Sequence, residues 1–131
     1  MTIQSFRDLK VWQRAMDLTL ALYKLTQTFP REEIYGLTSQ LRRAGVSVAS
    51  NIAEGFGRRS RSDYRSYLCM ARGSVLEIQT QLEIARQLGY GDPAQIANAE
   101  AMADESSRML SALIEKLGVR AREAGERLAG D

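Results

Sequence analysis

The sequence predicts an all-α protein, an antiparallel up-down four-helix bundle, and three observations support this prediction. Proline occurs only twice and aromatic residues make up 7% of the chain, which favours helix over strand. Apolar residues recur every three or four positions over long segments, which is the spacing of one helix face. Short segments with glycine or proline separate them, and short connections place consecutive helices antiparallel.

Helix 1 is predicted from about Arg7 to Gln27, because Pro30 disfavours a helical conformation at Phe29. Its apolar residues fill an arc of roughly 220°, whereas a surface helix needs an apolar stripe only a little over 100° wide. The interior of a single bundle cannot cover this surplus. We therefore expect copies of the chain to associate through helix 1.

The remaining helices are delimited by breakers and capping residues. Helix 2 is predicted from about Gly36 to Glu54, with Gly55 ending it in the left-handed conformation. Helix 3 is predicted to begin at Ser60 or Ser62, where Ser60 and Asp63 have the spacing of a capping box. Helix 4 is predicted to begin with Asp92 as the cap and Pro93 as its first residue, and to end near Gly118. We expect one domain of residues 1–118, followed by a flexible or frayed tail of residues 119–131.

The predicted inner faces of helices 2 to 4 follow a spacing of three and four residues, which is typical of helices that cross at about 20°. They are Leu37, Leu41, Ala44, Val48 and Ile52 in helix 2; Tyr64, Leu68, Ala71, Val75, Ile78, Leu82 and Ala85 in helix 3; and Ile96, Ala99, Ala103, Ser106, Leu110, Leu113 and Leu117 in helix 4.

Cysteine usage and the absence of targeting signals indicate a cytoplasmic protein. Cys69 is the single cysteine, so no intramolecular disulfide can form. The N-terminal residues do not form a basic region followed by an apolar core, so no secretory signal is expected. The longest uncharged run near the middle, residues 44–53, is about half as long as a membrane span. We expect no membrane association.

No pattern in the sequence indicates an enzyme. Histidine is absent, which removes the commonest general base and the commonest zinc ligand. Cys69 has no second cysteine with which to bind a metal. The glycines at 55 and 57 lack the third glycine and the preceding strand of a dinucleotide-binding motif. We therefore expect no catalytic residue, no metal site and no cofactor.

Positive charge is concentrated in the middle of the chain. Residues 40–72 carry seven arginines and two acidic residues, a net charge of +5, whereas residues 73–131 carry six basic and ten acidic residues, a net charge of −4. The free N–H groups at a helix N-terminus favour the binding of anions, and arginine side chains bind phosphate in bidentate geometry. The candidate contacts to an RNA or DNA backbone are Arg42, Arg58, Arg59, Arg61, Arg65 and Arg72. The alternative is a solubilising loop whose helix start is already capped by Asp63.

A second pattern is a polar strip beside the apolar stripe of helix 2, matched by a similar strip on helix 3. Its members are Gln40, Arg43, Ser47, Asn51 and Glu54 on helix 2, and Ser74, Glu77 and Gln81 on helix 3. We predict a polar network between the two helices, with Arg43 paired to Glu77, because a buried charge needs a partner. The alternative is one solvated flank on each helix.

Several short motifs resemble a known family. They are FRDLKVWQ at residues 6–13, FP at 29–30, YGLT at 35–38, QLRRA at 40–44, SV at 47–48, NIAEG at 51–55, and ARGS at 71–74 followed by Glu77. Over about residues 5–90 the chain resembles the bacterial four-helix-bundle proteins named for intervening sequences in the 23S ribosomal RNA gene.

That resemblance implies a homo-oligomeric ring, usually a pentamer, in a group with no established activity. A more distant similarity is to the accessory variability determinant of diversity-generating retroelements, a basic pentamer that binds nucleic acid and a reverse transcriptase. By that resemblance the six arginines would be the contact residues. This chain departs from the basic relative in its acidic C-terminal half and its modest net charge.

Two functional hypotheses follow from the sequence. The first is a homo-oligomeric scaffold that binds structured RNA or another polyanion without sequence specificity. The alternative is a scaffold that binds no nucleic acid and instead binds an acidic or apolar protein partner.

Overall fold

The computed structural model describes the backbone of residues 2–130 and the side chains of residues 2–118. It contains four helices, α1 (Lys10–Thr26), α2 (Leu37–Phe56), α3 (Arg61–Leu88) and α4 (Pro93–Gly130), and two short 3-10 turns, Phe6–Asp8 and Arg31–Glu33. The described backbone contains no strand. Each helix packs against its neighbours in the chain, and α4 closes the bundle against α1. The predicted all-α four-helix bundle is therefore confirmed.

The core lies where the three-and-four spacing predicted it. All five predicted inner residues of α2 are buried, and so are six of the seven in α3 and six of the seven in α4. The two exceptions, Tyr64 and Leu113, are partly buried at the edge of the core. On α1 the buried residues are Val11, Ala15, Leu18, Thr19, Leu22, Leu25 and Thr26.

The start of α1 differs from the prediction. The chain first forms a 3-10 turn, in which the Asp8 carboxylate accepts the backbone N–H groups of Gln4 at 2.9 Å and of Ser5 at 3.2 Å. Leu9 is extended, with φ −76° and ψ 124°, and α1 begins at Lys10. The predicted start at Arg7 was wrong because Ser5 and Asp8 close a separate turn at this position.

Gly55 has a different role from the predicted one. It lies inside α2, which continues to Phe56, and its helix does not end in a left-handed residue. A Cβ at Gly55 would lie 2.7 Å from the Tyr67 Cβ and 3.3 Å from the Tyr64 carbonyl oxygen. The residue is therefore small because α3 passes directly against it.

The predicted helix starts at Ser60 and Asp92 are confirmed. The Ser60 hydroxyl accepts the Asp63 backbone N–H at 3.0 Å, although the reciprocal bond of a full capping box is absent. The Asp92 carboxylate accepts the Gln95 N–H at 3.2 Å. Between these starts, Gly89 and Gly91 both have φ of 74°, which lets α3 end and α4 turn back.

A hydrogen-bonded link joins the two loops at this end of the bundle. Glu33 accepts the Leu37 backbone N–H at 3.1 Å with one carboxylate oxygen and the Tyr90 hydroxyl at 3.1 Å with the other. The bond to this carboxylate raises the pKa of Tyr90 above its ordinary value. The α1–α2 connection and the α3–α4 connection are thereby fixed to each other.

The C-terminal boundary of the bundle stays a prediction. Helix α4 continues past Gly118 to Gly130 in the backbone, so the expected helix end near Gly118 was wrong. The side chains of the tail predicted for residues 119–131 lie outside the described residues. In the described part of the chain, no helix combines the length and the apolar character needed to cross a bilayer.

Two glycine substitutions test the close contact between α2 and α3. We expect Gly55→Ala to lower the free energy of unfolding by about 1–3 kcal/mol, because the added methyl group forces the two helices apart. The matched control is Gly73→Ala on α3, where nothing lies within 4 Å of the added Cβ. That change should raise the free energy of unfolding by up to about 1 kcal/mol through helix propensity. Urea denaturation measures both, and equal effects would contradict the packing argument.

Candidate functional site

The six candidate arginines do not form one surface. Arg58, Arg59 and Arg61 lie at the α2–α3 turn and are exposed. Arg65 faces α4, and Arg72 lies seven residues further along the same helix and therefore on the same face. Arg42 lies near the start of α2, toward the opposite end of the bundle, against α1.

Arg58 is held in place by an aromatic side chain that sequence reasoning did not identify. Its guanidinium carbon lies 4.8 Å from the centre of the Tyr67 ring, and the same guanidinium donates a hydrogen bond to the Tyr67 hydroxyl. The side chains of Arg59 and Arg61 make no hydrogen bond or ion pair within the described part of the chain. The turn therefore presents one oriented guanidinium group and two that have no partner among the described residues.

Arg65 and Arg42 are partly used within the fold. Arg65 Nε donates to the Ile114 carbonyl oxygen at 3.2 Å, and a Cβ at Gly118 would lie 3.0 Å from that nitrogen. Arg42 Nε donates to the Thr26 hydroxyl at 2.9 Å, and its guanidinium stacks 4.8 Å from the Tyr23 ring centre. Both side chains connect neighbouring helices, which leaves fewer of their donors for a ligand.

The antiparallel topology adds basic residues that the sequence did not single out. The N-terminus of α1 and the far part of α4 meet the α2–α3 turn at one end of the bundle, where Lys10 and Lys116 line the same shallow cleft. We call this end the arginine end. Its members are Arg7, Lys10, Arg58, Arg59, Arg61, Arg65 and Lys116. Against these seven basic residues stand four acidic ones, Asp8, Glu54, Asp63 and Glu115, which leaves a net charge of +3 among the described side chains of this end.

Part of the predicted polar strip forms hydrogen bonds across α2 and α3. The hydroxyl groups of Ser47 and Ser74 lie 2.9 Å apart. Asn51 Nδ2 donates to the Ser47 hydroxyl at 3.0 Å and to the Ser47 carbonyl at 2.9 Å. Nearer the start of α2, Gln81 Nε2 donates to Gln40 Oε1 over a long 3.5 Å.

The charged members of the strip are not bonded to each other. Arg43 and Glu77 line one cleft, but no ion pair joins them, and neither side chain forms a hydrogen bond with another described residue. Glu54 is exposed and outside the cleft. The predicted Arg43–Glu77 pair is therefore absent from this structure, and the bonded part of the strip is uncharged.

Apolar side chains remain exposed on two faces of the bundle. On α1 and α2, Leu20 is 63% exposed, Val46 45% and Tyr23 40%, and Trp12 and Met16 line a neighbouring apolar cleft with Val46. We call these five residues the α1–α2 apolar face. On α3, four side chains form the α3 outer face and are 45–56% exposed: Met70, Leu76, Ile84 and Leu88.

The described residues contain no group of three or more cysteine or acidic side chains placed to hold a metal ion. Cys69 is a half-buried free thiol beside the core.

Comparison with known proteins gives the family. The model of the 23S rRNA-intervening sequence protein family matches residues 7–112, which is most of the chain. The chain belongs to this family. A crystal structure from Bacteroides thetaiotaomicron VPI-5482, described as a protein of unknown function from the S23 ribosomal protein family, is similar with a TM-score of 0.73. The similarity is at 22% identity and covers 80% of this chain and 95% of that one, so it supports the fold. No curated protein matches the chain.

Double-mutant cycles test which part of the polar strip is coupled in this family member. For Ser47→Ala and Ser74→Ala we expect a coupling energy of about 0.5–1.5 kcal/mol, because the two hydroxyl groups bond directly. For Arg43→Ala and Glu77→Ala we expect coupling below about 0.5 kcal/mol, because the unliganded pair is not in contact. Denaturant unfolding measures both cycles. Strong coupling of the charged pair would restore the original prediction and contradict the geometry.

Proposed function

We propose that this family member is a non-enzymatic homo-oligomer whose arginine end binds the phosphate backbone of structured RNA without reading its sequence. The observation that carries the proposal is the pair of exposed guanidinium groups of Arg59 and Arg61, which bond to no described residue and lie beside the oriented Arg58. Guanidinium groups bind phosphate in bidentate geometry, and those that make no internal bond are free to do so.

Self-association is supported by the two exposed apolar faces. A closed ring needs two different surfaces on each copy, one of which fits the other. The α1–α2 apolar face includes a cleft of about 330 Å³ between the two helices, while the α3 outer face consists of four exposed apolar side chains spread along a single helix. We propose that the α3 outer face of one copy packs on the α1–α2 apolar face of the next. The family resemblance implies that the ring is a pentamer.

A ring strengthens weak phosphate binding. The described residues of one arginine end carry a net charge of only +3, which by itself gives weak and salt-sensitive affinity. When several copies present the same end on one side of a ring, a single RNA can contact many guanidinium groups at once. The effective concentration of each further contact is then high. The distant resemblance to the basic pentameric accessory determinant agrees with this arrangement.

Introducing a negative charge on each of the two apolar faces tests the ring. We expect both Leu20→Glu and Leu76→Glu to give monomers in light scattering, because each buries a carboxylate in one half of the contact. When the two variants are mixed, the intact half of one fits the intact half of the other, so dimers should form but no ring. Ile3→Glu is the control, since Ile3 is 51% exposed and lies outside both faces. A monomeric unsubstituted protein across dilutions would contradict the ring.

Filter binding of 23S ribosomal RNA fragments over a salt series tests the RNA interface. Arg59→Gln/Arg61→Gln should weaken binding at low salt and flatten the dependence of log affinity on log salt concentration, because fewer phosphate contacts release counterions. Lys24→Gln/Arg31→Gln is the control, since it removes the same charge at the opposite end.

Equal effects of the two double variants would show that only net charge matters. If the unsubstituted protein did not bind RNA at low salt, the proposal would be wrong. The alternative of a scaffold that binds only proteins would then be favoured, with Ile34 and Tyr35 as the natural contact residues because they are 55% and 95% exposed.

A further inference from the structure

The polar strip lines a cleft between α2 and α3 that is open to solvent. Its volume is about 230 Å³, which is smaller than the usual site for a drug-sized ligand and suits a single small planar group. The contact between Ser47 and Ser74 closes one end of the cleft. Ala44 lines its base, where a small side chain leaves space. We call it the polar cleft; its lining residues are Gln40, Arg43, Ala44, Ser47, Ser74, Glu77 and Gln81.

A buried acceptor in the polar cleft has no donor. Gln81 Oε1 is fully buried and forms no hydrogen bond, while the nitrogen of the same amide makes only the long bond to Gln40. Buried polar atoms in folded proteins nearly always have a partner, so each exception needs an explanation. Gln81 is one of the residues that line the cleft, so a rotation of its side chain would bring this acceptor to an N–H donor bound there.

The two charged residues of the cleft offer complementary chemistry from different helices. Arg43 extends from α2 and provides only donors, whereas Glu77 extends from α3 and provides only acceptors. Because they form no ion pair, both remain available to a ligand. A matching ligand therefore has acceptors on one side, N–H donors on the other, and one extra N–H for Gln81.

We infer that the polar cleft binds an unpaired guanine base. Guanine O6 and N7 accept the two parallel N–H groups of Arg43, which is the commonest specific contact to this base. Guanine N1–H and one N2–H donate hydrogen bonds to the Glu77 carboxylate. The second N2–H donates to Gln81 Oε1. Adenine would place an amino group before Arg43 and has no N1–H for Glu77. The cleft has no aromatic lining, so hydrogen bonds at the base edges carry the recognition.

The guanine can come from a free nucleotide or from an unpaired residue of RNA. Only the RNA case rests on the proposed function. Arg43 precedes Phe56, the last residue of α2, by 13 residues of helix, a distance of roughly 20 Å at 1.5 Å per residue, and Arg58 lies in the turn just beyond. A single strand whose phosphates lie at the arginine end can span that distance along the α2–α3 groove. Base recognition in the cleft would then add to backbone binding at the turn.

Nucleotide titration by calorimetry tests the inference with the full-length protein. We expect guanosine monophosphate to bind more tightly than inosine monophosphate, which lacks only the N2 amino group, and adenosine monophosphate to bind weakest. Glu77→Gln should weaken guanosine monophosphate by about tenfold and reduce its advantage over inosine monophosphate, since a correct base edge contributes on the order of tenfold. Glu54→Gln is the matched control, because Glu54 lies in the same strip outside the cleft.

Arg43→Lys separates recognition from a structural role. Lysine keeps the charge but loses the bidentate geometry, so we expect reduced guanine selectivity with unchanged thermal stability. For the RNA source, a single-stranded oligonucleotide with one guanine should bind more tightly than the same strand with adenine there. Arg59→Gln/Arg61→Gln should weaken both strands equally.

The inference would be overturned if guanosine and adenosine monophosphate bound equally, or if neither bound. It would also be overturned if Glu77→Gln and Glu54→Gln had the same effect. If RNA still bound in a salt-dependent manner, the proposed function would stand and only the guanine site would be lost. If guanosine monophosphate bound selectively but RNA did not, the guanine site would stand for free nucleotides alone.

Discussion

Helices α2 and α3 approach each other closely along their contact, and much of the molecule depends on that approach. At one end the absence of a side chain at Gly55 lets α2 touch the backbone and side chains of Tyr64 and Tyr67. In the middle the Ser47 and Ser74 hydroxyl groups bond at 2.9 Å. The same helix is held closely on its other side, where the Thr19 hydroxyl donates to the Gly45 carbonyl at 2.9 Å. α2 is thus fixed between two neighbours, and the groups it carries have defined positions.

The apolar spacing of the sequence was enough to predict the bundle, because each helix buries a continuous stripe and few other arrangements can do so. The helix starts at Ser60 and Asp92 were predictable because a capping side chain bonds to a backbone N–H only a few residues away. Gly55 was misinterpreted because a glycine near a helix end has two explanations, a left-handed turn or a close neighbour. Only the packing of Tyr67 from α3 against this glycine distinguishes them, and the sequence pattern does not show that packing.

The candidate sites were less predictable than the core. Six arginines within one stretch of sequence suggested one basic surface, but helical rotation directs Arg65 toward α4 and Arg42 toward α1. Conversely, Lys10 and Lys116 are far apart in the chain and meet at the arginine end because consecutive helices run antiparallel. Helix periodicity placed Ser47 and Ser74 on facing strips, yet it could not determine whether the long side chains of Arg43 and Glu77 would meet. Whether these two side chains meet depends on their rotamers, which the sequence pattern does not predict.

The position of Trp12 has a practical consequence. It is the only tryptophan of the chain and is half-buried. The Phe6 ring lies edge-on to it, with the two ring centres 5.1 Å apart, and Trp12 and Val46 line the same apolar cleft. The emission wavelength of an indole at the edge of an apolar surface changes when water is excluded from that surface. The unlabelled protein therefore carries an optical reporter at one defined patch, and dilution followed by fluorescence would read its hydration directly.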